Sequence, residues 1–235
     1  TRPSQRFYPF FSNLNNIIRM YPIMSPSHLF LSISLFGADG KEIIEKQIGD
    51  LTSPDNRFLS VNVNSIASNA KIKFDDISTF AVTVRSDKKI PTRVSHQLVY
   101  GIGTLNTSIN ISLHNPNVFV QHGKKSFKWG QAIIGPSDDS LVGIVADGCE
   151  NPSIKIHDTK VTFFDETGKI LEKNFHIANG GGIKLQLSEE LKNRITVLDG
   201  QKYIWLTAES ESHGINFFSV SFNKNTTYCS GDHGF

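Results

Sequence analysis

The sequence predicts an all-β protein built as a tandem duplicated β-sandwich, of immunoglobulin-like or jelly-roll type, with one short helix. Three observations carry that expectation. First, Leu31–Lys46 and Asp158–Lys173 share one rhythm: alternating apolar residues, a polar pair, Gly-Lys, aliphatic residues, then Glu-Lys. Setting Gly40 against Gly168 pairs Ile33 with Val161, Leu35 with Phe163 and Phe36 with Phe164. Second, the echo continues: Ala81–Asp87 matches Trp205–Glu211, and Val94–Tyr100 matches Phe217–Phe222. Repetition at a long period is the mark of a repeated supersecondary unit. Third, short alternating runs recur between Gly, Pro, Asn and Asp clusters, the pattern of a sandwich of short strands. The organisation expected is an irregular N-terminal arm over 1–27, a first sandwich over 28–103 and a second over 104–235, hinged at Gly101–Gly103.

Taken in order, the arm is punctuated by Pro3, Pro9, Pro22 and Pro26, a density that excludes long helices. Phe7, Tyr8, Phe10 and Phe11 read as a packed aromatic arm over a sheet edge, and Asn13–Met20 as one or two helical turns capped by Ser12 or Asn13. Strands are expected at His28–Phe36, Ile43–Ile48, Arg57–Val63, Phe80–Val84 and Thr92–Tyr100. Gly37–Gly40 supplies hairpin-turn residues. Further strands follow at Thr104–Leu113, Phe119–Trp129, Leu141–Ala146 and Ile183–Leu187, with a short helix at Ser188–Asn193 capped by Ser188.

Composition bounds the function classes. A chain of 235 residues buries a core without staples, and its net charge of +2 gives no electrostatic footprint for nucleic acid. Lys124, Lys125, Lys128 and His122 lie among aromatics, but as a lysine-guarded strand edge. Two cysteines, Cys149 and Cys229, read as free thiols. No apolar run reaches membrane-spanning length and no signal peptide is legible after Thr1, so a soluble chain is expected, with a cytoplasmic setting favoured over a secreted one.

Candidates for chemistry are few. Cys229, Asp232 and His233 crowd the C-terminal tail, and a transition metal would accept Cys229 and His233 if His96 or His213 completed the site. The same cluster is the centre a β-scaffold enzyme would use. Asn179–Gly182 invites comparison with a phosphate loop, yet a strand rather than a helix follows it, so it reads as a bare flexible connection. The adjacent pairs Asp75-Asp76 and Asp138-Asp139 face opposite ways on a strand and make no glycosidase couple. Asn106, Asn110 and Asn225 each begin an N-glycosylation acceptor triplet. Trp129 and Trp205 are the candidate ligand-binding residues.

The segment Ser78–Gln97, with its alternating strand and Ser-Asp turn, resembles the corresponding stretch of the Anabaena sensory rhodopsin transducer family. Those are small β-sandwich proteins that assemble into oligomers with signalling or ligand-binding roles. The resemblance spans less than a third of the chain, implies a non-enzymatic sandwich and carries over no functional residue. The function expected is therefore a non-catalytic binding or assembly module for a glycan, protein or small molecule, as a homo-oligomer or alone.

Overall fold

The computed structural model describes residues 3–52, 58–88, 94–113, 125–147, 153–195, 200–225 and 227–234. Its first sandwich contains β1 (Ser4–Pro9), β2 (Asn15–Met20), β3 (Leu29–Phe36), β4 (Glu42–Asp50), β5 (Leu59–Asn62), α1 (Val63–Asn69), β6 (Thr79–Ser86), β7 (Val94–Ile102) and β8 (Leu105–Leu113). The second contains β9 (Ser126–Ile134), β10 (Asp138–Ala146), β11 (Ile156–Asp165), β12 (Gly168–Ala178), β13 (Gly182–Gln186), α2 (Leu187–Leu191), β14 (Lys202–Ser210), β15 (Ile215–Asn223) and β16 (Cys229–His233). Sheet order is β1-β6-β3-β4 and β5-β2-β7-β8 in the first, and β9-β14-β11-β12 and β13-β10-β15-β16 in the second. Adding eight to each strand number turns one order into the other. No helix among the described residues is long and apolar enough to cross a membrane.

Several expectations need correction. The N-terminal segment is not an irregular arm, because β1 pairs with β6 and β2 lies between β5 and β7. Its prolines sit at strand ends and connections, where a missing N–H costs little. Asn13–Met20 is a turn followed by a strand. Asn16 spends its amide on that turn, accepting from Phe11 N at 3.0 Å and donating to Leu14 O at 2.8 Å, and Ile18 and Met20 then alternate inward. Past Asn62 the chain turns helical, with Asn62 Oδ1 accepting from Ser65 N at 3.2 Å as an N-cap. The hinge expected at Gly101–Gly103 is the end of the β7–β8 hairpin, so Leu105–Leu113 completes the first sandwich. Thr92 and Arg93, Phe119–Lys124 and Cys149 fall outside the described residues.

Strand register also refines the internal alignment. Ser34 lies opposite Ala81, and Thr162 lies opposite Thr207. The hairpin alignment equates Ser34 with Thr162, so Ala81 corresponds to Thr207 and not to Trp205. A slip of two keeps every side chain on its own face, which is why alternation alone does not detect it.

Two hydrophobic cores share one sheet. Val142, Ile144, Ala146, Ile215 and Phe217 face the second sandwich, whereas Leu141, Val145, Phe218, Val220 and Phe222 join the core of the first. With both faces of this sheet covered, β10 is buried at every position and β15 at all but its last, polar residues included. Phe218 meets Tyr8 edge-on at 5.6 Å between ring centroids.

A second contact locks the units together. The turn expected as a flexible connection, Asn179–Gly182, packs on the first sandwich: Thr79 Oγ1 donates to Gly180 O at 2.5 Å, and Ser78 Oγ donates to Gly182 O at 2.7 Å. Glycine is required by proximity. A Cβ on Gly181 would lie 2.6 Å from Ala38 O, and one on Gly40 (φ 74°) would strike Asn179 O.

Candidate functional site: an exposed aromatic sheet face

In β9 and β14 the side chains alternate strictly. Ala132, Ile134, Ile204, Leu206 and Ala208 point into the core, leaving Phe127, Trp129, Tyr203 and Trp205 on the outer face, 57%, 43%, 54% and 37% exposed. Trp205 lies opposite Gln131 and Trp129 opposite Thr207, which makes the two indoles diagonal neighbours, about 7–8 Å apart at the backbone and within side-chain reach. Phe164 lies opposite Trp205 on the other side. Thr162 and Thr207 sit as a cross-strand pair on the same face.

The corresponding positions of the first sandwich show what this face does when it is covered. Phe7 lies opposite Ala81 as Trp129 does opposite Thr207, and Phe36 corresponds to Phe164. Phe7 and Phe36 meet at 4.8 Å between ring centroids, tilted 55° to one another, and are buried, with Gly180 seated against the Phe7 ring. Thr79, whose hydroxyl holds Gly180, corresponds to Trp205.

Two hollows flank the aromatic row. At the Phe127 end is an open cleft of about 700 Å³, lined by Lys125, Asp158, Lys160, Asn174, His176 and Glu209 among others. Its charges are matched: His176 Nδ1 lies 2.5 Å from Asp158, Lys160 Nζ 3.4 Å from Glu209, and Lys125 Nζ 2.6 Å from Glu211. Exposed pairs of this kind add little stability. At the other end, around the β9 edge, Gln131, Tyr203, Ser219, Ser221, Ser230 and Asp232 line a polar slot of about 180 Å³.

No protein-family model and no curated protein matches the chain. Among solved structures, it is similar to that of the M60 catalytic domain with the CBM51-1 and CBM51-2 domains from Clostridium perfringens ZmpB, at 7% identity and a TM-score of 0.22, over 90% of this chain and 33% of that one. A likeness of that strength carries no argument.

Of the residues singled out in the sequence, the structure brings together Trp129 and Trp205 and separates the metal candidates. Cys229 and His233 stand at opposite ends of β16, four residues and about 13 Å apart, too far to share one ion. Asp232 Oδ1 does approach His233 Nδ1, at 3.6 Å, but Cys229 lies at the far end of the extended strand, so no Cys229–Asp232–His233 centre forms. Burial pushes the Cys229 thiol above its ordinary range and keeps it protonated, the reverse of nucleophilic activation. His96 lies inside the first sandwich, its Nε2 2.6 Å from Tyr8 Oη, and burial together with the Arg6 charge lowers its pKa to about 3. His213 sits in the β14–β15 turn. Among the described residues no three His, Cys, Asp or Glu side chains are placed to hold a metal.

Asp138 and Asp139 are structural ties. Asp138 accepts from Asn223 Nδ2 at 2.8 Å and Tyr228 Oη at 3.0 Å. Asp139 accepts from Gln186 Nε2 at 2.8 Å and from the backbone and hydroxyl of Ser188, at 3.0 and 2.5 Å. Ser188 therefore anchors α2 to β10 and is not its N-cap, which is Gln186. Phe127 and Tyr203 are site residues that sequence reasoning missed. The signal was present, since each precedes a tryptophan by two positions, the spacing of one strand face.

Proposed function

We propose that this chain is a non-catalytic binding module that takes a carbohydrate on the outer face of its second sandwich. The observation that carries the reading is the exposed row of Phe127, Trp129, Trp205 and Tyr203 on β9 and β14. Contiguous exposed aromatic surface rimmed by polar groups marks an interaction site. Sugar rings present flat C–H faces to an indole and hydroxyls to its neighbours, and here the exposed Gln131 amide stands opposite Trp205 as donor and acceptor. The first sandwich lends support: the same face there serves as a contact surface, and Trp205 replaces the hydroxyl that receives the glycine turn. The face of the second sandwich is thus built for a different occupant.

A soluble glycan array probed with the labelled protein and with its Trp205→Ala variant tests this reading. Selective binding to a group of saccharides, lost in the variant, is the result expected. An empty array, or binding that survives in both Trp205→Ala and Trp129→Ala, would overturn it. Self-association is proposed alongside, from the resemblance of Ser78–Gln97 to an oligomeric family, and light scattering reads it directly.

A further inference from the structure

Resting on that reading, we infer that the ligand is an uncharged, chain-like saccharide laid lengthwise along β9, reaching from the cleft beside Phe127 to the serine-lined slot beside Tyr203. Outward-facing residues Phe127 to Ile133 span six steps of an extended strand, roughly 20 Å, several sugar rings long. The hollows stand at the two ends of that row, with Trp129 and Trp205 between them. A single ring would use one hollow or one indole, whereas a chain engages all of them at once.

Charge decides the class of chain. Each lysine lining the cleft is matched to a carboxylate, Lys160 to Glu209 and Lys125 to Glu211, which leaves no spare cation there among the described residues for a uronate or sulfate. The slot offers the Ser230 hydroxyl, the Gln131 amide and a single carboxylate, Asp232, with the buried Ser219 and Ser221 in its lining. That set accepts and donates hydrogen bonds to sugar hydroxyls and repels an anionic sugar.

Calorimetric titration with matched pairs tests the inference: cellobiose and cellohexaose, mannobiose and mannohexaose, chitobiose and chitohexaose, with hexagalacturonate as the charged counterpart. In the series that binds, the hexasaccharide is expected to bind at least about tenfold tighter than its disaccharide. Asp232→Ala and Lys160→Ala are each expected to weaken the hexasaccharide and leave the disaccharide unchanged. Equal affinity for both lengths, lost in Trp205→Ala, would overturn this inference and leave the binding reading standing. Preference for hexagalacturonate would overturn the uncharged class. Failure of every saccharide would remove the binding reading as well.

Discussion

Phe7 and Trp129 hold the same position in the two sandwiches, opposite Ala81 and Thr207 on equivalent strands, yet Phe7 is 4% exposed and Trp129 43%. One fold therefore uses one face in two ways. In the first unit it seats the Asn179–Gly182 turn, and in the second it carries two indoles to solvent.

The seat is sensitive to a single methyl group. Gly181→Ala is expected to destabilise the protein by about 1–3 kcal/mol, because its Cβ would lie 2.6 Å from the Ala38 carbonyl of the other unit. Gly49→Ala, where a Cβ meets nothing within 4 Å, is the control and should be neutral or slightly stabilising. Urea unfolding of the two variants side by side checks this.

Phe218 ties the cores together. It is fully buried against Tyr8, so Phe218→Ala is expected to cost about 3–5 kcal/mol. The loss should also uncouple the two sandwiches, giving two transitions in calorimetry where the parent gives one.

His96 sets an acid limit on stability. Its folded pKa of about 3 lies below the ordinary 6.5, so the unfolded chain binds the proton that the folded chain refuses. The contribution is complete above pH 6.5 and is lost as pH falls from there toward 3, by up to about 1.4 kcal/mol per pH unit. His96→Gln, which keeps a partner for the Tyr8 hydroxyl, should flatten the urea midpoint against pH in that window.

Cys229 is expected to be a slow thiol. Half-buried, with its pKa raised by desolvation, it should react with an aromatic disulfide at pH 7 more slowly in the folded protein than in urea. Cys229→Ser should leave saccharide binding unaltered.

Much of this was legible in the chain itself. The Gly40 and Gly168 hairpins, the alternation of Val94–Tyr100 and the two tryptophans all follow from a period of two. What was hidden is long-range. Asn13–Met20 reads as a helix start until Asn16 is seen spending its amide on the preceding turn, and β1 reads as an arm until Phe80 and Tyr8 are paired. Three glycines in a row look flexible, because nothing local to them says that Ala38 and Thr79 press against them. Cys229 and His233 look adjacent only until an extended strand separates them.

Hydroxyl-radical footprinting read by mass spectrometry, with and without the saccharide selected on the array, tests the central claim most directly. The account predicts strong labelling of Trp129, Trp205, Phe127 and Tyr203, protection of Phe7 and Phe36, and suppression of the tryptophan labels when saccharide is added. Labelling of Phe7 equal to that of Trp129, or a saccharide that protects residues elsewhere while both tryptophans stay reactive, would contradict it.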